Sequence, residues 1–94
     1  MIRFSVFYPQ TEGAAFDHEY YRTNHVALCR ETWKPTRTEI DKGVDGPNVA
    51  AVHFLFESSD DLQAAMDADG TAAIVADAAN FTTITPVTQV SETF

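Results

Sequence analysis

The sequence predicts an α+β domain in which four strands form one antiparallel sheet. Segments that alternate with period two, which is typical of strands, are interspersed with segments whose apolar residues recur every three or four positions, which is typical of helices. The order along the chain is strand, helix, strand, strand, helix, strand. Because the chain has 94 residues, we expect a single domain that spans 1–94.

The first part of the chain predicts one strand and one long helix. In residues 2–8 the side chains alternate between two faces, and Pro9 ends the strand. Asp17 is suited to cap a helix that continues to about residue 32. The residues expected on the inward-facing stripe of this helix follow at spacings of four, three and four: Tyr21, His25, Leu28 and Thr32.

Two strands of opposite character come next. Residues 36–42 have few apolar side chains, so we place this weak strand at an edge of the sheet. Residues 49–57 are mostly apolar on both faces, which predicts a central strand. His53 lies on one face of it. The other face carries three bulky residues, Val52, Phe54 and Phe56.

The last part of the chain predicts an interrupted helix and a second edge strand. A capping-box pattern opens the helix at Ser58, and Gly70 interrupts it. A further short helix is expected from Thr71, and its inward-facing residues are Ile74, Val75 and Ala78. Residues 81–90 form the last strand, where Pro86 favours an edge position because it cannot donate to a neighbouring strand.

This order of elements is that of the ferredoxin-like βαββαβ fold, in which the first and third strands are central. Helices cover only one face of such a sheet, but the strand at 49–57 is apolar on both faces. The uncovered face therefore needs a partner, and a second copy related by a two-fold axis is the simplest one. We expect a homodimer, a dimeric α+β barrel whose two sheets form one core.

The composition excludes several functional classes. A net charge of −8 repels nucleic acids and anionic membranes. The one cysteine, Cys29, cannot form an intrachain disulfide, and no apolar segment approaches the ~18 residues that span a bilayer. We therefore expect a cytoplasmic protein without a nucleic-acid or membrane partner.

His25 is the first candidate for chemistry, because imidazole exchanges protons near neutral pH. Tyr21 lies one turn before it and could donate a hydrogen bond to a carbonyl or enolate oxygen. The alternative is a core histidine that is hydrogen-bonded to Tyr21 or to a backbone group, and the spacing alone favours this alternative. Tyr20 points about 100° away from Tyr21 around the helix, toward the rim of the pocket.

His53 is the second candidate, and it lies either in the same cavity as His25 or in the dimer core. Phe54 and Phe56 are candidates to wall a pocket between the helices and the sheet, since small-molecule pockets are mainly apolar. No spacing typical of metal ligands and no glycine-rich phosphate loop occurs, so we predict no metal and no cofactor.

Three separated segments resemble the EthD family, small bacterial and fungal proteins of the dimeric α+β barrel group. FDHEYYRTNHVAL (16–28) resembles the pattern F-x-x-Y-Y-x-x-x-H-x-x-L, and two later segments resemble the third strand and the end of the family: VAAVHFLFESSDDL and ADAANFTTITPVTQVSE. The resemblance implies the barrel fold and the dimer. By their positions in the matching motif, it also implies that Tyr21 and His25 line the pocket and that Tyr20 is their neighbour. Ala27 departs from the family, which often has proline there.

Two functions of different classes follow from this resemblance. The first is a cofactor-free catabolic enzyme, an isomerase, cyclase or dehydratase acting on a small hydrophobic or aromatic molecule. His25 would move a proton and Tyr21 would steady a carbonyl oxygen. The second is a non-catalytic carrier of a hydrophobic metabolite for an oxygenase pathway such as ethyl tert-butyl ether degradation. A purely structural role for the His25 and Tyr21 pair is the third possibility.

Overall fold

The computed structural model describes all 94 residues and contains a four-stranded antiparallel sheet with helices on one face. The strands are β1 (Ile2–Pro9), β2 (Arg37–Lys42), β3 (Asn48–Phe56) and β4 (Val87–Glu92). Their order across the sheet is β2-β3-β1-β4, so the first and third strands are central. The predicted α+β, ferredoxin-like βαββαβ fold is therefore confirmed. None of the helices combines the length and apolar character that crossing a membrane requires.

Three helices pack on this sheet, and two of them begin at the predicted caps. The helices are α1, from His18 to Trp33, α2 (Ser59–Met66) and α3 (Thr71–Asp77), followed by a 3₁₀ turn at Ala78–Asn80. The Asp17 side chain accepts a hydrogen bond from the Tyr20 N–H, and the Ser58 side chain accepts one from the Asp61 N–H. These side chains satisfy backbone donors that a helix leaves free at its start.

The pairing of the two central strands decides which side chains face the helices. Phe4 lies opposite Phe54, and Ser5 lies opposite His53 on the other face. Phe54 is fully buried in the core beneath the helices. His53 therefore lies on the face that no helix covers, which we call the open face.

A π-helical turn interrupts α1 where the sequence predicts the site. The helix passes through three segments: α-helical at His18–Tyr20, π-helical at Tyr21–His25 and α-helical again at Val26–Trp33. The Val26 N–H donates to the carbonyl oxygen of Tyr21, five residues back instead of four. Such turns accommodate one extra residue and often occur at functional sites.

The extra residue rotates the rest of α1 relative to its start. Tyr21 and His25 are both buried, as the spacing predicts, but Val26 and Cys29 are the next buried residues. Leu28, which the regular spacing places on the same stripe, is only half-buried. The inward stripe is thus displaced after His25, because the prediction assumes uninterrupted α-helical spacing.

Two expectations for the last part of the chain are wrong. Val75 is 71% exposed and is therefore not part of the core that contains the buried Ile74, although it contributes to the lining of a cavity between the helices and the sheet. The last strand begins at Val87 instead of residue 81. In the segment before it, Thr82 donates from its hydroxyl to the carbonyl oxygen of Ala15 at 2.7 Å, so this segment anchors the loop before α1.

Truncation of Val26 and of Val75 compares the same chemical change in a buried and an exposed helical position. Val26 is 1% exposed, so Val26→Ala should lower the free energy of unfolding by about 2 kcal/mol through lost burial and a residual cavity. Val75→Ala should change it by less than about 0.5 kcal/mol. Urea unfolding at one protein concentration measures both values, and equal losses would contradict the described packing of α1 and α3.

Candidate functional site

A cavity of about 380 Å³ lies between the helices and the sheet, and 12 of its 17 lining residues are hydrophobic. The strands and helices both contribute to its apolar wall, which includes Phe4, Val6, Trp33, Val52, Phe54 and Ile74. No Asp, Glu, Lys or Arg lines it, and its polar side chains are few: His25, Thr71, Thr85 and Thr88, beside Tyr8 and Cys29. A mainly apolar cavity with few polar groups is the usual form of a small-molecule site.

One wall of this cavity is aromatic and held in a fixed orientation. The Trp33 ring stands perpendicular to Phe54 with a centroid distance of 5.1 Å, and its centroid lies 6.0 Å from that of Phe4. The Trp33 indole N–H donates to the Thr71 hydroxyl at 2.9 Å, and that hydroxyl donates to the Ala65 carbonyl oxygen at 2.9 Å. Since these polar groups already have partners, this side of the cavity offers mainly flat apolar surface.

The imidazole of His25 is oriented by Asp77, the last residue of α3. Nδ1 of His25 lies 2.9 Å from Oδ2 of Asp77, and the two side chains are only 7% and 16% exposed. An ionised carboxylate can only accept hydrogen bonds, so we assign the proton of the neutral ring to Nδ1. Nε2, the other ring nitrogen, has no hydrogen-bond partner in the chain and carries a free lone pair.

Asp77 is held in the ionised form by three donors. Its Oδ1 accepts hydrogen bonds from the Tyr20 hydroxyl at 2.7 Å and from the Asn80 side-chain amide at 2.9 Å, while Oδ2 faces His25. Burial raises the pKa of Asp77, but the hydrogen bonds from Tyr20, His25 and Asn80 outweigh this effect and hold the pKa below its ordinary value of 3.8. The hydrogen bond to Asp77 in turn raises the pKa of Tyr20.

Tyr21 packs on the imidazole instead of lining the cavity. Its ring stacks on His25 with a centroid distance of 5.9 Å and an interplanar angle of 19°. The residue is 1% exposed, and its hydroxyl is buried without a hydrogen-bond partner. Burial raises the pKa of Tyr21 well above its ordinary value, so this phenol does not exchange protons near neutral pH.

Two titratable residues of the cavity lining, Tyr8 and Cys29, keep their protons near neutral pH. Burial raises the pKa of the Cys29 thiol to about 12, and it raises the pKa of Tyr8 well above the ordinary value. No group of three or more His, Cys, Asp or Glu side chains converges to hold a metal ion. His25 is therefore the cavity residue whose free ring nitrogen, Nε2, is available to accept a proton.

The predicted site residues divide into those that meet in the cavity and those that do not. His25 and Phe54 line the cavity, and Tyr20 reaches it only indirectly, through Asp77. Phe56 lines a different pocket, of about 400 Å³, between the end of α1 and α2.

His53 belongs to a separate hydrogen-bond chain on the open face, away from His25. Its Nδ1 lies 2.7 Å from the Ser5 hydroxyl oxygen, and its Nε2 lies 3.2 Å from Oδ2 of Asp41. Ser5 is opposite His53 in the central strand pair, so this chain runs across three strands of the sheet. Of the two locations that the sequence left open for His53, the structure places it outside the cavity.

Sequence reasoning gave no role to Asp77 or Asn80. Both lie in the segment ADAANF, 76–81, which opens the third stretch resembling the EthD family. Their spacing of three residues is compatible with many helix ends. The contact between His25 and Asp77 spans 52 positions, so no local period could reveal it.

Comparison with solved structures decides the family. An EthD-like protein from Ralstonia eutropha JMP134 is 37% identical, with a TM-score of 0.88 over 97% of this chain and 89% of that chain. The chain belongs to the EthD family. A second EthD family protein, from Bacillus halodurans C-125, is 21% identical, with a TM-score of 0.81 over 100% of this chain and 99% of that chain.

Other comparisons support the fold of this EthD-family chain. A dimeric protein of unknown function and ferredoxin-like fold from Bacteroides fragilis NCTC 9343 has a TM-score of 0.59 at 10% identity, over 98% of this chain and 95% of that chain. This likeness shows the fold alone. Searches against protein-family models and against curated proteins found no match.

The depressed pKa of Asp77 predicts a dependence of stability on pH. Because the folded pKa lies below 3.8, the stabilisation is fully present above that value and is lost as the pH falls through the folded pKa. At neutral pH, Asp77→Asn should lower the free energy of unfolding by about 1–2 kcal/mol. The difference between wild type and variant should shrink when urea unfolding is repeated at a pH well below 3.8.

Asp67→Asn is the matched control for this experiment. Asp67 is an exposed carboxylate at the end of α2 that accepts only from Gln63, one turn earlier. Its substitution should change the free energy of unfolding by less than about 0.5 kcal/mol. A difference for Asp77→Asn that stays constant between neutral and acidic pH would contradict the ionised, hydrogen-bonded state of Asp77.

Proposed function

We propose that this EthD-family protein binds a small, largely apolar or aromatic molecule in the cavity and that His25 transfers a proton on it without a cofactor. The observation that carries the proposal is the free Nε2 of a cavity-lining imidazole whose other nitrogen is fixed by Asp77. A general base needs a lone pair near the substrate and a partner that stabilises the imidazolium once the proton has arrived. His25 and Asp77 supply these two parts.

The proposed cycle conserves the proton within the site. Nε2 takes a proton from an acidic C–H or O–H group of the substrate, and Asp77 stabilises the resulting imidazolium across the 2.9 Å hydrogen bond. Return of the proton to another carbon completes an isomerisation or cyclisation, and its return to a departing hydroxyl completes a dehydration. General acid–base catalysis of this kind contributes on the order of 10²–10⁴-fold to a rate.

For Tyr21 we propose a positioning role. The carbonyl contact expected for it from the sequence needs its hydroxyl at the cavity surface, but that hydroxyl is buried outside the lining. Its stacked ring supports one face of the His25 imidazole, and Phe81 approaches the ring at a centroid distance of 4.6 Å. Together with Asp77, these contacts limit rotation of the imidazole.

A non-catalytic carrier is the second candidate function. The observation that favours it is the absence of a second acid–base group in the cavity, since Tyr8 and Cys29 keep their protons near neutral pH. A carrier needs only the apolar wall and one hydrogen-bonding atom for orientation. Either function is compatible with a role beside an oxygenase pathway, and a cytoplasmic location stays a prediction.

Proton transfer by His25 can be tested before the natural substrate is known. 5-Nitrobenzisoxazole is a flat aromatic compound that opens when a base removes its ring C–H proton, the N–O bond breaks and a coloured phenolate forms. The wild-type protein should accelerate this reaction, and His25→Ala and His25→Gln should lower the rate roughly 100-fold, because both remove the base. Absorbance of the phenolate measures the rate, and circular dichroism confirms that the variants are folded.

His53→Ala is the matched control, because it removes the histidine of the open face and leaves the cavity intact. It should keep the wild-type rate. Equal rates in wild type and both His25 variants would contradict His25 as the base. Binding of the compound with no turnover dependent on His25 would favour the carrier.

We also propose that the protein forms a homodimer through the open face. No helix of the chain covers this face, which carries the apolar side chains of Phe7, Ala51, Leu55 and Val87 among polar and charged ones that include the His53 chain. Apolar side chains on an uncovered face are stabilised by burial against a matching surface, and a second copy offers one through a two-fold axis.

A charged side chain in the middle of the open face tests the homodimer. Ala51 lies between Phe7 of β1 and Asp41 of β2, so Ala51→Glu should place a second carboxylate beside Asp41 in the interface and give a monomer. Ala73→Glu, on the exposed side of α3, should leave the assembly unchanged. Size-exclusion chromatography with light scattering measures both masses, and a wild type that is already monomeric would contradict the proposed dimer.

A further inference from the structure

The charges around the cavity disfavour an anionic ligand. None of the six basic residues of the chain lines the cavity, and the protein carries a net charge of −8. The positive charge that His25 gains on protonation already faces the carboxylate of Asp77. A buried carboxylate or phosphate would thus lose its hydration without gaining an unshared cation, which is costly in an apolar site.

The ring nitrogen that His25 leaves free in the cavity is a hydrogen-bond acceptor. Both oxygens of Asp77 receive donors, so the His25 proton stays on Nδ1 and Nε2 offers a lone pair. The Thr71 hydroxyl has a donor and an acceptor partner already, and Thr85 and Thr88 are exposed residues of the cavity lining. A ligand that satisfies Nε2 must therefore bring a donor, which a hydroxyl supplies and a ketone or ether does not.

The shape of the cavity favours a flat ring. Trp33, Phe4 and Phe54 form a wall of mutually packed aromatic faces and edges, and such rings gain from offset or edge contacts with another ring. The volume of about 380 Å³ lies near the lower end of the ~300–1,000 Å³ range of small-molecule sites. A molecule of one or two rings is consistent with this volume.

We infer that the ligand is an uncharged hydroxyaromatic compound of one or two rings, whose hydroxyl donates a hydrogen bond to Nε2 of His25. This inference rests on the proposed function and names its substrate class. The same contact holds the hydroxyl and its ring at a fixed position beside the imidazole, where Nε2 can exchange a proton with the ligand.

Four compounds with one ring system separate the contributions of shape, donor, acceptor and charge: naphthalene, 2-naphthol, 2-methoxynaphthalene and 2-naphthoate. Trp33 is the single tryptophan and lines the cavity, so its indole N–H signal in NMR spectra reports occupancy directly. At about pH 7, 2-naphthol should bind roughly fivefold to tenfold more tightly than naphthalene, in keeping with one added hydrogen bond. The methoxy compound and the naphthoate should show no such gain.

Two variants connect this preference to His25 and its proton. His25→Phe keeps an aromatic ring but removes the acceptor, so the advantage of 2-naphthol over naphthalene should vanish while naphthalene still binds. Asp77→Asn should place an amide donor against Nδ1 and thereby move the ring proton to Nε2. In that variant 2-methoxynaphthalene, whose ether oxygen can only accept a hydrogen bond, should bind more tightly than naphthalene.

The outcomes distinguish this inference from the proposed function. If all four compounds bind and the hydroxyl gives no advantage, or if the naphthoate binds most tightly, the substrate class is wrong and the cavity still binds small molecules. If an advantage of 2-naphthol persists in His25→Phe, the hydroxyl contact lies elsewhere and the inference fails. If none of the compounds perturbs the Trp33 signal, both the substrate class and the proposed small-molecule function fail.

Discussion

The hydrogen bond between Nδ1 of His25 and Asp77 is the contact on which the candidate site depends. It joins α1 to the end of α3 across 52 positions of sequence and fixes the plane of the imidazole. By holding the proton on Nδ1, it also decides that the nitrogen left for the cavity is an acceptor. Without this bond the tautomer of the imidazole would be undefined, and neither proton transfer nor recognition of a donor would be directed.

The surroundings of this bond explain how a carboxylate is tolerated beside an apolar cavity. A partly buried charge is unfavourable unless it is hydrogen-bonded, and Asp77 has three donors from α1 and the turn after α3. On the other side of the imidazole, Tyr21 and Phe81 supply ring contacts in place of polar ones. The π-helical turn allows α1 to present His25 and still bury Val26 directly after it.

Side chains of the central strands point alternately to the two faces of the sheet, and this separates the cavity, which contains His25, from the open face, which contains His53. Residues of β1 and β3 that face the helices, such as Phe4 and Phe54, form the cavity wall, and their immediate neighbours Ser5 and His53 face the open side. A shift of one residue in a strand exchanges these faces, so the register of the sheet determines which histidine meets the cavity. His53 instead belongs to a polar chain where a second subunit is proposed to pack.

The sequence by itself determined the strands and helices, their order and the central or edge position of each strand, because alternation, helical spacing and capping residues act over a few neighbouring positions. It also determined that His25 faces inward, and the motif around it indicated the EthD family. Tertiary structure alone decided the partner of His25, the exclusion of the Tyr21 hydroxyl from the cavity and the face of His53. It also decided the change of helical phase after His25 and the late start of β4 at Val87. The physical reason is that these features depend on contacts between segments distant in sequence, for which the spacing of residues along one helix or strand carries no information.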